Sequence, residues 1–114
     1  MSTYKVEDAF AGTGVHKMTY QGYVEFTNQF GRVCHEHRFR DVANGTQAIC
    51  KTGTRFLPDT ELSKLMTSMF GTTFATDEVV NPGELVGQNF SVTIQEVNGF
   101  GKVTNVAPIS MGGE

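Results

Sequence analysis

Asn28-Gln29-Phe30-Gly31-Arg32-Val33 returns seventy positions later as Asn98-Gly99-Phe100-Gly101-Lys102-Val103. Both stretches spell Asn-x-Phe-Gly-basic-Val, and each lies between runs of alternating apolar and polar residues, so each reads as the tip of a β-hairpin. Asn and Gly tolerate the positive φ that tight hairpin turns need. A Phe beside such a turn, followed by a cation, can offer a ring face to an unpaired nucleobase and a charge to its phosphate. The competing reading is an ordinary turn whose Phe folds back onto its own sheet. Recurrence is what favours the first.

The flanking patterns supply the strands. Val15 to Asn28 reads as one long strand, with Tyr20, Gly22, Val24 and Phe26 on one face and Gln21, Tyr23, Glu25 and Thr27 on the other. Gly22 in its interior points to a bend or bulge. Val33 to Val42 makes a second strand and Gln47 to about Arg55 a third, joined at Asn44-Gly45 by a two-residue turn. That turn would place Phe39 opposite Cys50 in the core and Arg38 opposite Lys51 on the other face. Like charges directly across strands are destabilising. With Arg40 and Arg55 alongside, the arrangement reads either as a phosphate-binding stripe or as a solvated face with splayed side chains.

One helix follows. Pro58-Asp59 predicts its start, with Asp59 as N-cap, and Leu62, Leu65, Met66 and Met69 form one apolar stripe that ends at a C-cap Gly71. The methionines read as core filling. Residues 72–88 form a connection with a turn of helix at Thr76-Asp77-Glu78-Val79, broken by Asn81-Pro82-Gly83. A clean strand then carries Phe90, Val92 and Ile94 inward, and Lys102 to Ile109 forms the last one beyond the second tip. Residues 1–14 read as a Gly-rich arm and 110–114 as a frayed tail.

Three strands, a helix and a two-stranded hairpin is the element order of the OB-fold, a five-stranded Greek-key barrel with its helix between strands 3 and 4. In that barrel the loops joining strands 1–2 and 4–5 flank the face that binds oligonucleotides or oligosaccharides. The two Phe-Gly tips fall in those loops. A chain of 114 residues with 39% hydrophobic content suits one such domain over residues 1–114, mainly β.

Charge sharpens the expectation. The formal charge is −3, yet residues 31–55 hold Arg32, Arg38, Arg40, Lys51 and Arg55 against only Glu36 and Asp41. Segregation of this kind allows one positive face on an acidic protein. No apolar run reaches the ~20 residues of a membrane span, and the N-terminus lacks a signal-peptide core, so a soluble, cytoplasmic protein without a membrane partner is expected.

Enzymatic and metal chemistry find little footing. Cys34-His35-Glu36-His37, with His16 and Cys50 elsewhere, is the densest set of ligand-type side chains. His35 and His37 share a strand face, but no Cys-x-x-Cys or His-x-x-x-His spacing supports zinc, and no metal or cofactor is expected. Cys34 and His35 point to opposite faces and make no catalytic pair. Gly12-Thr13-Gly14 lacks the strand, third glycine and lysine of a phosphate loop, and no nucleophile elbow occurs, so no enzyme is expected.

Several segments also carry a likeness. These are Leu62-Ser63-Lys64-Leu65-Met66, Phe70-Gly71 with Phe74, Asp77-Glu78, Leu85-Val86-Gly87-Gln88 leading into Phe90-Ser91-Val92-Thr93-Ile94, and Val103-Thr104-Asn105-Val106-Ala107-Pro108. Through them residues 55–109 resemble phage-encoded OB-fold proteins of the single-stranded-DNA-binding type. The first half resembles that group only through its Gly-containing first strand and basic second strand. The resemblance implies an accessory protein of phage DNA replication or recombination, acting in the host cytoplasm. Many proteins of this type end in an acidic tail that recruits partners; this chain ends Gly112-Gly113-Glu114, so recruitment by that route is not expected.

The expected ligand is therefore single-stranded DNA, with RNA as an alternative. Arg32, Arg38, Arg40, Lys51, Arg55 and Lys102 would contact phosphates, which gives salt-dependent affinity by counterion release. Phe30 and Phe100 would stack on bases, at roughly 1–3 kcal/mol per base, with Tyr23 as a third platform. Exposed strand edges leave a homo-oligomer open. The rival function is an OB-type protein-interaction or assembly module that meets no nucleic acid, which the negative charge favours. An oligosaccharide ligand ranks third, because the chain has no Trp.

Overall fold

A computed structural model describes Thr3 and residues 10–109. Most of the arm expected over 1–14, and all of the tail expected over 110–114, lies outside them. The elements run β1 (Gly14–Thr27), β2 (Val33–Asp41), β3 (Gln47–Thr52), α1 (Glu61–Phe70), a 3-10 turn (Pro82–Leu85), β4 (Asn89–Val97) and β5 (Phe100–Pro108). The five strands form one antiparallel sheet in the order β3-β2-β1-β4-β5, with α1 between β3 and β4 in sequence. The ladders leave β3 and β5 as edges, so the sheet is open where a closed barrel was expected. Among the described residues, no helix is long and apolar enough to cross a membrane.

The centre of the sheet is decided by one extra residue. Tyr20 pairs with Phe39 and Gly22 with Arg38, so Gln21 is left over as a β-bulge in β1. A bulge reverses the alternation beyond it. Tyr20 and Tyr23 therefore lie on the same, inner face, while Gly22, Val24 and Phe26 lie on the outer one. Simple alternation had put Tyr20 with Gly22, Val24 and Phe26. The doubled residue corrects it, and Gly22 makes the doubling possible by taking φ +95. Met18, Tyr20, Phe39, Phe90 and Val92 form the buried heart of the inner face.

The β2–β3 connection also departs from expectation. It is not a two-residue Asn44-Gly45 turn but a four-residue loop, Val42–Gly45, closed by Asp41 N–H donating to the Thr46 carbonyl at 2.7 Å. The Asp41 carboxylate lengthens it by accepting from the N–H groups of Ala43 (2.7 Å) and Asn44 (3.3 Å). Short polar side chains that bond nearby backbone compete in this way with tighter turns. The register moves by two, so Phe39 faces Ala48, Arg38 faces Ile49 and Lys51 faces Glu36. The expected like-charge pair is replaced by a cation opposite a carboxylate. β3 also stops at Thr52, short of Arg55.

Helix α1 buries its predicted stripe, Leu62, Leu65, Met66 and Met69, and ends on Gly71. Its N-cap is Thr60 rather than Asp59. Pro58 and Asp59 are taken up in a turn in which Thr60 N–H donates to the Leu57 carbonyl at 3.0 Å, and the Thr60 hydroxyl then accepts from Ser63 N–H at 3.2 Å. Thr76-Asp77 forms a turn, not a turn of helix, with Asp77 at φ 70. Asn81-Pro82-Gly83, read as a breaker, instead opens the 3-10 turn: Asn81 caps it and proline occupies its first position.

At Gly22 an added Cβ would meet only the Val86 side chain, at an ordinary 3.5 Å. Gly22→Ala should therefore lose stability through backbone strain alone, by about 1–3 kcal/mol. Urea unfolding checks this, and an unchanged midpoint would show that the bulge tolerates an L-residue.

Candidate nucleic-acid interface

The two Phe-Gly tips are built differently despite their common spelling. In the second, Asn98 (φ 52) and Gly99 (φ 83) form the two central residues of a tight turn, and Val97 pairs with Phe100. Both residues at positive φ is the type I′ hairpin. In the first, Gln29 replaces that glycine, and the positive φ passes to Gly31 (φ 79). Asn28 organises this loop: its side-chain oxygen accepts from Phe30 N–H (2.9 Å) and Arg32 N–H (3.0 Å). Phe30 consequently sits at the apex of a loop, whereas Phe100 is the first residue of β5. Both rings are open to solvent, 78% and 76% exposed, so neither folds back onto its sheet.

The tips do not face one another across a short gap. Asn28 follows the C-terminal end of β1, while Gly14, at the N-terminal end, pairs with Ile94, so Val97 and the second tip lie beyond that end. The long strand separates them.

The outer face of β1–β2–β3 adjoins the first tip and gathers most of the charge. Arg38 and Arg40 of β2 and Lys51 of β3 share it with Val24 and Phe26 of β1 and Ile49 of β3. Lys51 Nζ stands 5.4 Å from the centre of the Phe26 ring, a cation–π contact. Glu36 lies among the cations. It accepts a hydrogen bond from Arg38 Nη2 at 3.1 Å, and its other oxygen is 4.0 Å from Lys51 Nζ. Arg40 Nη1 donates to the Gly45 carbonyl at 2.7 Å, bracing its own turn. A hollow of about 220 Å³ opens between Gly22, Arg38, Arg40 and Gln47.

The remaining predicted contacts scatter. Arg32 is exposed at the first tip and Arg55 in the segment after β3. Lys102 pairs with Gln95 near the second tip. Tyr23 lies opposite Val24 and Phe26, as expected, but on the inner face, its ring 4.4 Å from that of His35 and 5.3 Å from that of His37, across the sheet from Arg38, Arg40 and Lys51. Phe26 and Val24 are the outer-face residues the sequence reading missed. The signal was Gly22, which marked a bulge without saying which residue was doubled. No protein-family model and no curated protein matches the chain.

The inner face holds no metal-ligand set: among the described residues, no three His, Cys, Asp or Glu side chains are grouped to hold an ion. His37 is wholly buried there, with Nδ1 2.8 Å from the Tyr20 hydroxyl and Nε2 without a hydrogen-bond partner among the described residues. Burial, followed by nearby His35, pushes its pKa down to about 4. Burial, with Tyr23 and Cys50 nearby, pushes the Tyr20 hydroxyl up. Burial chiefly also raises the Cys50 thiol to about 11, so it stays protonated at neutral pH. At the far end of β2 the Ala43 N–H, above all, holds Asp41 below the usual carboxylate value; desolvation opposes it, and His16 Nδ1, at 2.9 Å, assists.

A buried histidine whose pKa is lowered binds fewer protons folded than unfolded, so stability must fall as pH drops from about 6.5 toward 4. For His37 the loss is on the order of 3 kcal/mol at the lower limit. Denaturation midpoints measured across that window should show it, and His37→Gln, which keeps an acceptor for Tyr20, should flatten the profile.

Proposed function

We propose that this chain binds single-stranded DNA without strong sequence preference, through the outer face of β1–β2–β3 and the adjoining Phe30 tip. The observation that carries the reading is the gathering of Arg38, Arg40 and Lys51 with the Phe26 ring on one side of the sheet. Phosphates need cations that track the backbone, and bases need exposed aromatic faces; single-strand binders combine the two. Phe30 and Arg32 supply both at the near end. Phe100 and Lys102 extend the path only for a strand long enough to reach the opposite end of β1. The fold is read as an open variant of the OB type: the element order is the same, and edges β3 and β5 approach each other without pairing. The resemblance of residues 55–109 to phage single-stranded-DNA-binding proteins supports reading the activity as one of phage replication or recombination.

A second reading, a protein-interaction module, draws on a different feature. A groove of about 1060 Å³ beside α1, walled by Phe56, Leu57, Leu62, Phe74 and Val80, is the larger and more apolar depression.

Fluorescence anisotropy with labelled oligo-dT separates the two. Binding should weaken steeply with salt, and Arg38→Ala or Lys51→Ala should each reduce the slope of log K against log salt by about 0.7. Phe30→Ala should weaken binding by roughly 1–3 kcal/mol. Phe100→Ala should matter less, and only for longer oligonucleotides. No binding at ~50 mM salt with micromolar protein leaves the protein-interaction reading in its place.

A further inference from the structure

Glu36 is misplaced on a face built to meet phosphate. Its neighbours across and along the strands are the cations that such a face needs: Arg38 two residues on, at 3.1 Å, and Lys51 directly opposite in the β2–β3 ladder, at 4.0 Å. The carboxylate is the more sheltered partner, its side chain 16% exposed against 45% for Arg38 and 64% for Lys51. Val24 stands opposite it on β1, and Lys51 Nζ lies over the Phe26 ring, while both cations remain open to solvent and to an incoming strand.

From this geometry we infer that Glu36 is a built-in counter-ion that competes with the ligand's phosphates for Arg38 and Lys51 and so sets the affinity of the face. The inference rests on the single-stranded-DNA reading above. An incoming phosphate must take the two cations from Glu36, and the freed carboxylate then lies beside the strand as a like charge. Exposed ion pairs are weak, so the exchange is readily reversible. The consequence is a protein that binds when the strand offers several phosphates in succession and releases isolated ones.

The test is Glu36→Gln, which keeps the shape and an acceptor for Arg38 while removing the charge. Oligo-dT affinity should rise roughly three- to tenfold at low salt. The salt slope should steepen by about 0.7, the contribution of one further net charge. Asp77→Asn removes one negative charge from the connection after α1, at a position where Asn also accepts positive φ. It should leave both quantities near their starting values. Weaker binding by Glu36→Gln, with unchanged thermal melting, would show that Glu36 positions Arg38 for the strand, which overturns the inference. Equal gains from Glu36→Gln and Asp77→Asn would reduce the effect to overall charge, and also overturn it. Failure of both the starting protein and the variant to bind any oligonucleotide instead removes the DNA reading on which it stands.

Discussion

A single unpaired residue, Gln21, governs how this sheet is used. Without the bulge, Val24 and Phe26 would face the same way as Met18 and Tyr20 and would be committed to the core with them. With it, the first part of β1 sends Met18 and Tyr20 inward, and the second part lends Val24 and Phe26 to the outer surface. The same strand thus serves both the core and the candidate binding face. The positive φ of the bulge falls at Gly22, which has no Cβ to oppose it, and the burial of Tyr20 against Phe39 and Phe90 holds the register on the inner side.

Two carboxylates then finish what the bulge begins. Asp41 lengthens the β2–β3 loop by capping it, and the two-step change of register brings Glu36 opposite Lys51. Neither effect is large alone. Together they convert a stripe of repelling cations into a set with an internal partner, which is why the outer face can be dense in charge on a short strand pair without destabilising it.

Much of this was legible in the sequence. Alternation located all five strands, the spacing Leu62, Leu65, Met66, Met69 located the helix, and Asn with Gly located both tips. What escaped were choices made by competing local bonds. Asn44-Gly45 is a strong two-residue turn signal, and it lost to the Asp41 side chain three residues earlier. Asp59 is a good N-cap, and it lost to Thr60 because Leu57 and Thr60 close a turn around Pro58. At the site, Phe30 and Phe100 could be recognised as tip residues. That they leave from opposite ends of β1 depends on the β1–β4 register, which joins segments far apart in the chain. Tyr23 keeps Glu25 and Thr27 on its face but joins Tyr20 rather than opposing it, because alternation cannot be carried through a bulge.

The bulge is also a boundary in the backbone. The β4 ladder accompanies β1 only from Gly14 to Thr19, with Tyr20 still tied to Gln88 and Gly87 by its N–H and carbonyl, each at 3.0 Å. Past that point β2 continues beside β1 to Thr27, but the ladder on the other side has ended. β1 is therefore flanked on both sides only around Met18–Tyr20, with β4 alone beside it before that stretch and β2 alone after it. Amide protons will accordingly divide along a single strand: those of the doubly flanked stretch at Met18–Tyr20 exchange with solvent only when the core opens, and those after Gln21 exchange through local fraying of the arm that carries the Phe30 tip.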